Sequence, residues 1–216
     1  MTLTDEPGDG APPGRVVELT DLVDRVLTAP PTLGSSRLLC VDGPSGAGKT
    51  TLARHLRHVA RRASSIPVTA VHMDDLYDGW GGLVDAALVK VPDWLLAPLS
   101  QDRPGRYRRY DWRSGAYAEW HEVTPGGLIV IEGCGSAARP ADAFATLRLW
   151  IDTEPDLRLR RGLDRSGDES LPYLQAWKIA EDAHFAVDRT RERADVLVLG
   201  AAAIPFDPAT QVVVAG

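Results

Sequence analysis

The constraint that dominates this chain is the run Gly43-Pro44-Ser45-Gly46-Ala47-Gly48-Lys49-Thr50. It follows an apolar stretch, Leu38 to Val41, and precedes a helical pattern with Leu52, Leu56 and Val59 on one face. Strand, glycine-rich turn and helix start are the context in which G-x-x-x-x-G-K-[ST] forms a phosphate cradle. The glycines let the backbone curl until successive N–H groups face one oxyanion. The helix start adds unpaired N–H groups and the positive end of its dipole. Lys49 is expected to reach the β/γ-phosphates, and the Thr50 hydroxyl to ligate Mg²⁺. The full nucleotide-binding set is Gly43, Ser45, Gly46, Ala47, Gly48, Lys49, Thr50 and Thr51. Such a loop identifies a nucleoside triphosphate; where the phosphoryl group goes depends on the other residues.

Composition narrows the setting. At 216 residues the chain has room for one α/β domain with an insertion. A net charge of −6 disfavours nucleic acid and anionic membrane as partners. No run approaches the roughly 18 apolar residues of a membrane span. The N-terminus, MTLTDEPGDGAPPGR, lacks the basic and apolar regions of a secretory signal. It reads as a disordered lead-in over 1–14, followed by a single domain over 15–216. Cys40 and Cys134 both belong to apolar strand-like runs and read as buried free thiols in a reducing cytoplasm.

Along the chain, Thr20 is expected to cap a first helix that Pro30-Pro31 ends. The arginine-rich side of the helix after the loop (Arg54, Arg57, Arg61, Arg62) reads as a solvated face. Pro67 to His72 forms a strand that ends in Met73-Asp74-Asp75-Leu76-Tyr77. In open α/β sheets ligands sit beyond the carboxyl ends of strands, so one of Asp74 and Asp75 is a candidate for chemistry. Residues 78–126 carry four of the six tryptophans (Trp80, Trp94, Trp112, Trp120), Tyr110, and the basic group Arg103, Arg106, Arg108, Arg109 and Arg113. Weak periodicity, apart from a short helix near 93–99, marks an insertion that binds substrate. Leu128 to Ile131 reads as a strand buried on both faces, with Glu132 at its end as a second Mg²⁺ ligand. A strand over 147–152 leads to a helix capped by Asp152 or Thr153. That helix opens an arginine-dense segment, 158–170, expected to close as a lid. A long helix after Ser170, a core strand over 196–199 and an edge strand over 211–214 complete the alternation. The fold class is α/β: a P-loop NTPase with a mainly parallel sheet, helices on both faces and a lid.

The blocks in order are the phosphate loop, Asp74-Asp75-Leu76-Tyr77, Tyr110-Asp111, Glu132-Gly133 and the arginine segment. Together they resemble the uridine kinase / phosphoribulokinase group of P-loop kinases, over roughly residues 36–200. The resemblance implies that Asp74 is the general base. It implies that Tyr77 and Tyr110 line the acceptor pocket; Asp75 beside the strand end, and Trp80, Arg109 and Trp112 of the aromatic and basic segment, are further substrate-binding candidates read from the residues themselves. Arg161 and Arg165 become catalytic lid residues, and Arg158 a further contact to ATP. The stretch Asp78-Gly79-Trp80-Gly81-Gly82 departs from uridine kinases, which hold the ribose there.

The expected reaction is phosphoryl transfer from Mg-ATP to a hydroxyl of a small, nucleoside-like molecule. Self-association into a homo-oligomer stays open. Two other readings also stay open. The arginine cluster of 103–113 suits an already phosphorylated acceptor such as a nucleoside monophosphate. A nucleotide-dependent ATPase or switch would share the phosphate loop, although no Asn-Lys-x-Asp or Leu-Ser-Gly-Gly-Gln motif accompanies it.

Overall fold

A computed structural model describes residues 14–216, so the lead-in reading of 1–14 falls outside the described residues except for Gly14. Strand β2 (Ser36–Asp42) sits at the centre of the molecule. Its residues alternate between two cores. Leu38 and Cys40 face one hydrophobic cluster, while Leu39 and Val41 face the other. That two-sided burial is what a continuous apolar run needs. β2 pairs in parallel with β6 (Gly127–Glu132) on one side and β7 (Ala145–Asp152) on the other. β3 (Val68–His72) extends the sheet beyond β6, and β8 (Val196–Leu199) extends it beyond β7, both in parallel.

The sheet order is β1-β9-β8-β7-β2-β6-β3. β9 (Gln211–Val214) is therefore internal, between β8 and the short strand β1 (Arg15–Glu18), and pairs antiparallel with both. The edge position expected for 211–214 belongs to β1, whose four residues are too few to show an alternating pattern.

Helices α1 (Leu19–Thr28) and α2 (Lys49–Ala63) cover one face through Leu22, Val26, Leu52 and Leu56. Thr20 does not cap α1. The helix begins at Leu19 after Glu18, and Leu19 N–H donates to Thr210 O. The arginine face of α2 is only partly solvated, because Arg61 donates to Val68 O at 3.1 Å and Arg57 is half-buried.

The opposite face carries the segment read as irregular, and there the structure is regular. Leu83–Asp85 (α3) and Ala97–Ser100 (α4) are the ends of one continuous helix, wound as a π-helix over Ala86–Leu96. Pro92 lies inside it, where its missing N–H and ring favour a widened turn. The antiparallel hairpin β4 (Gly105–Asp111) and β5 (Ala116–Val123) follows. Helix α5 (Pro155–Ser166) leads into α6 (Leu171–Asp188) and the short α7 (Thr190–Arg193). The capping expected of Asp152 or Thr153 is absent, since Glu154 is the first flanking residue of α5. The Thr153 hydroxyl instead donates to Ala47 O at 3.0 Å and holds the phosphate loop.

Candidate active site

The parallel strands end together. His72 aligns with Glu132, and Glu132 with Val41, so β3, β6 and β2 deliver His72, Glu132 and Asp42 to one edge of the sheet. The phosphate loop rises from that edge. Its turns require glycine: Gly43 has φ 140° and Gly46 φ 77°. A Cβ on Gly46 would lie 2.5 Å from Arg158 O. The loop is thus held between β7 and the first turn of α5.

Asp42 is fully buried and fastens the loop from below. It accepts from the N–H groups of Gly43 (2.7 Å), Gly135 (2.9 Å) and Ala137 (2.8 Å). Burial pushes its carboxyl up to about 6, against those N–H donors and Lys49, which favour the charge. Glu181, on α6, fastens the loop from the side. It accepts from Ser45 N–H (2.8 Å), Trp177 Nε1 (3.1 Å) and Arg158 (3.0 Å).

Within the cradle, Lys49 Nζ donates to Pro44 O at 2.8 Å and lies 3.4 Å from Cys134 Sγ. Thr50 Oγ1 donates to both Glu132 oxygens at 3.0 and 3.1 Å. His72 Nδ1 lies 2.6 Å from Glu132 Oε1, and this hydrogen bond holds the imidazole above its ordinary range. No cluster of three or more His, Cys, Asp or Glu side chains among the described residues could hold a metal alone. One hydroxyl beside one carboxylate is the donor set that suits Mg²⁺ when phosphates and water complete the shell.

A cavity of about 560 Å³ opens above this cradle. Ser45, Gly46, Gly48, Lys49, Thr50, Thr51 and Glu132 form its floor. Asp74, Tyr77, Trp80, Trp112 and Trp177 form a wall, and Arg165, Ser166 and Ser170 form the rim. Asp74 is reached by the water of the cavity, yet protein surrounds it elsewhere. That crowding, with the Glu132 charge, raises its carboxyl above the usual carboxylate range, and Lys49 and Arg165 pull the other way.

The cavity separates the expected residues. Asp74 lines it and Asp75 does not, because the turn Met73–Asp75 rotates adjacent side chains apart. Tyr77 is a wall rather than a polar contact, since its hydroxyl donates to Cys134 O at 2.8 Å. Tyr110 stands behind Trp112 at 5.6 Å between ring centroids and does not reach the cavity. Arg109 points to Glu119 at 2.7 Å, on the hairpin's outer side. Of the four α5 arginines, only Arg165 lines the cavity. Arg161 donates to Gly46 O at 3.2 Å, and Arg158 is drawn away to Glu181 and Thr153 O. The segment expected as a lid is helix through Ser166, already seated on the loop. Gly43 and Ala47 contribute backbone structure, with Gly43 O accepting from Cys134 and Ala47 O from Thr153.

Sequence reasoning missed Asp42, Glu181, Trp177 and His72. The acidic strand-end argument used for Asp74 and Glu132 applies equally to Asp42. Nothing local marks Glu181, whose partner Ser45 is 136 residues away.

No family model matches this chain, and no curated protein matches it in sequence. Among solved structures it is similar to one described as a possible uridine kinase from Bacillus stearothermophilus. That match has a TM-score of 0.58 and 22% identity, over 83% of this chain and 96% of that one. It is also similar to a putative fructose transport system kinase from Silicibacter sp. TM1040. There the TM-score is 0.59 and the identity 20%, over 82% of this chain and 94% of that one. The fold is the α/β fold of P-loop kinases. The resemblance to the uridine kinase group holds at that level. No helix among the described residues is long and apolar enough to cross a membrane.

Proposed function

We infer that this protein is an ATP-dependent kinase that transfers the γ-phosphoryl group to a hydroxyl of a small metabolite. The observation that carries this reading is Asp74. Its carboxylate shares one cavity with Lys49, Thr50 and Glu132, at the carboxyl edge of the sheet. A hydrolase or switch needs no carboxylate facing an aromatic acceptor-sized space. Both structural neighbours are described as kinases.

Phosphoryl transfer has a loose transition state, so the protein's work is positioning and charge neutralisation. Backbone N–H groups of the loop and Lys49 hold the transferring phosphates. Thr50 and Glu132 would hold Mg²⁺, which supplies neutralising charge when bound. Asp74 accepts the proton of the acceptor hydroxyl, and its raised pKa brings it nearer to working pH. Arg165 faces the same space and neutralises phosphate oxygens.

The placement of the arginine cluster argues against a phosphorylated acceptor. Arg108 donates to Ala118 O and Tyr117 O, Arg109 pairs with Glu119, and Arg106 lies 3.8 Å from Glu122. None of Arg103, Arg106, Arg108, Arg109 and Arg113 lines the cavity. The test is ADP release from Mg-ATP by the purified protein, with and without a panel of small alcohols. Release that depends on one alcohol supports the kinase reading. Equal release with and without every alcohol, together with acceleration by a protein partner, supports the ATPase alternative.

A further inference from the structure

The far end of the cavity says what kind of head group the acceptor carries. Trp80 and Trp112 meet at 5.3 Å between centroids and 74° between planes, and Trp80 and Trp177 at 6.1 Å and 76°. Near-perpendicular walls make a box, and Tyr173 stacks behind Trp80 at 5.6 Å and 20°. Of the three indoles, Trp112 and Trp177 have their N–H groups committed to protein, and Trp80 does not. Trp112 Nε1 donates to Asp74 O (2.9 Å) and Trp177 Nε1 to Glu181 (3.1 Å). Tyr77 Oη donates to Cys134 O (2.8 Å), and Ser170 Oγ to Gly167 O (2.6 Å).

A site that reads a nucleobase needs donors and acceptors aimed at the base edge, because unmatched polar edges are costly when desolvated. Amide side chains are the usual readers. The chain contains no asparagine, and neither Gln101, Gln175 nor Gln211 lines this cavity. What the box offers is π-surface. Such walls hold aromatic rings edge-to-face and organic cations over their faces.

We propose that the acceptor is an alcohol whose other end is bound by the Trp80–Trp112–Trp177 box mainly through π contacts. Either a neutral aromatic ring or a compact organic cation supplies that chemistry. The hydroxyl end then lies toward Asp74 and the phosphate floor. This rests on the kinase reading above and narrows it away from nucleosides.

The test uses the full-length protein with Mg-ATP and three sets of primary alcohols: aryl alcohols, hydroxyalkyl-trimethylammonium salts, and nucleosides. ADP release is measured for wild type, Trp80→Ala and Trp80→Phe. The expected result is acceleration by the first or second set at lower concentration than by nucleosides. Trp80→Ala then raises KM by about 10-fold with little change in kcat, from the usual strength of a ring contact. Trp80→Phe restores most of the loss. Preference for the first set identifies a ring, and preference for the second a cation. A preference for nucleosides, or an unchanged KM in Trp80→Ala, overturns the proposal. If no alcohol accelerates ADP release, the kinase reading fails on its own, and calorimetric titration of the same alcohols decides the box. Binding that Trp80→Ala abolishes and Trp80→Phe retains upholds it, and no binding from the first two sets overturns it.

Discussion

The backbone N–H of Ser45 donates to Glu181 Oε2 at 2.8 Å, so helix α6 holds the phosphate loop directly. The same carboxylate takes Trp177 Nε1, which belongs to the acceptor wall, and pairs with Arg158 of α5. The glycine-rich loop, the tryptophan wall and the arginine helix therefore meet at one side chain that is only 1% exposed. Removing one partner of such a pair strands the other. Glu181→Ala should cost about 3–5 kcal/mol of stability and weaken ATP binding. Arg158→Ala/Glu181→Ala should be less destabilised than the sum of the single variants. Urea unfolding of the four proteins measures this; strict additivity would show that the pair is not coupled.

On the proposed function, Asp74 sets the acid limb of activity. Its carboxyl is raised by the protein crowded around it and by the Glu132 charge, and a base must be ionised to work. Turnover should therefore rise with pH through a value above the ordinary aspartate range of about 3.9, and level off once Asp74 is charged. Asp74→Asn should lower kcat by about 10²–10⁴-fold and remove that limb, leaving ATP binding intact. A kcat–pH profile of both proteins checks it.

Gly46 is held at φ 77° with Arg158 O 2.5 Å from where a Cβ would stand. Gly46→Ala should therefore do more harm than the roughly 1–2 kcal/mol of left-handed strain alone. The loop must shift away from α5, so ATP affinity should fall together with Tm. Fluorescent-nucleotide titration and thermal melts read the two effects.

Thr50 and Glu132 hold each other at 3.0 Å where a cation would be shared. Glu132→Gln should raise the Mg²⁺ concentration needed for half-maximal turnover by about 10-fold or more, and EDTA should stop turnover in wild type. Activity measured against Mg²⁺ concentration tests both.

The parts of this molecule that a sequence displays are those encoded locally. The phosphate loop has fixed spacing, and Leu128 to Ile131 shows two-sided burial in one unbroken apolar run. Asp74 and Glu132 could be placed at the cavity because both stand at or just past the ends of parallel strands. The hairpin β4–β5 was not legible, because most of β5 is exposed or half-buried and its sequence, AYAEWHEV, shows no regular alternation of apolar residues. Pro92 concealed the helical run of 83–100. Arg109 and Arg158 stand away from the cavity for one reason. A charge in a sequence has no visible partner, and here Glu119 and Glu181 take them. The structure also divides Asp74 from Asp75, a choice set by the rotation of one short turn.

On the proposed function, Asp74 and the phosphate loop together transfer a phosphoryl group to a small hydroxyl. The most direct measurement is ³¹P NMR of Mg-ATP incubated with the protein and an alcohol that accelerates ADP release. A new phosphate-monoester signal should grow in step with ADP in wild type, and be lost in Lys49→Ala and nearly lost in Asp74→Asn. Inorganic phosphate as the sole product, formed equally well by Asp74→Asn, would contradict the account.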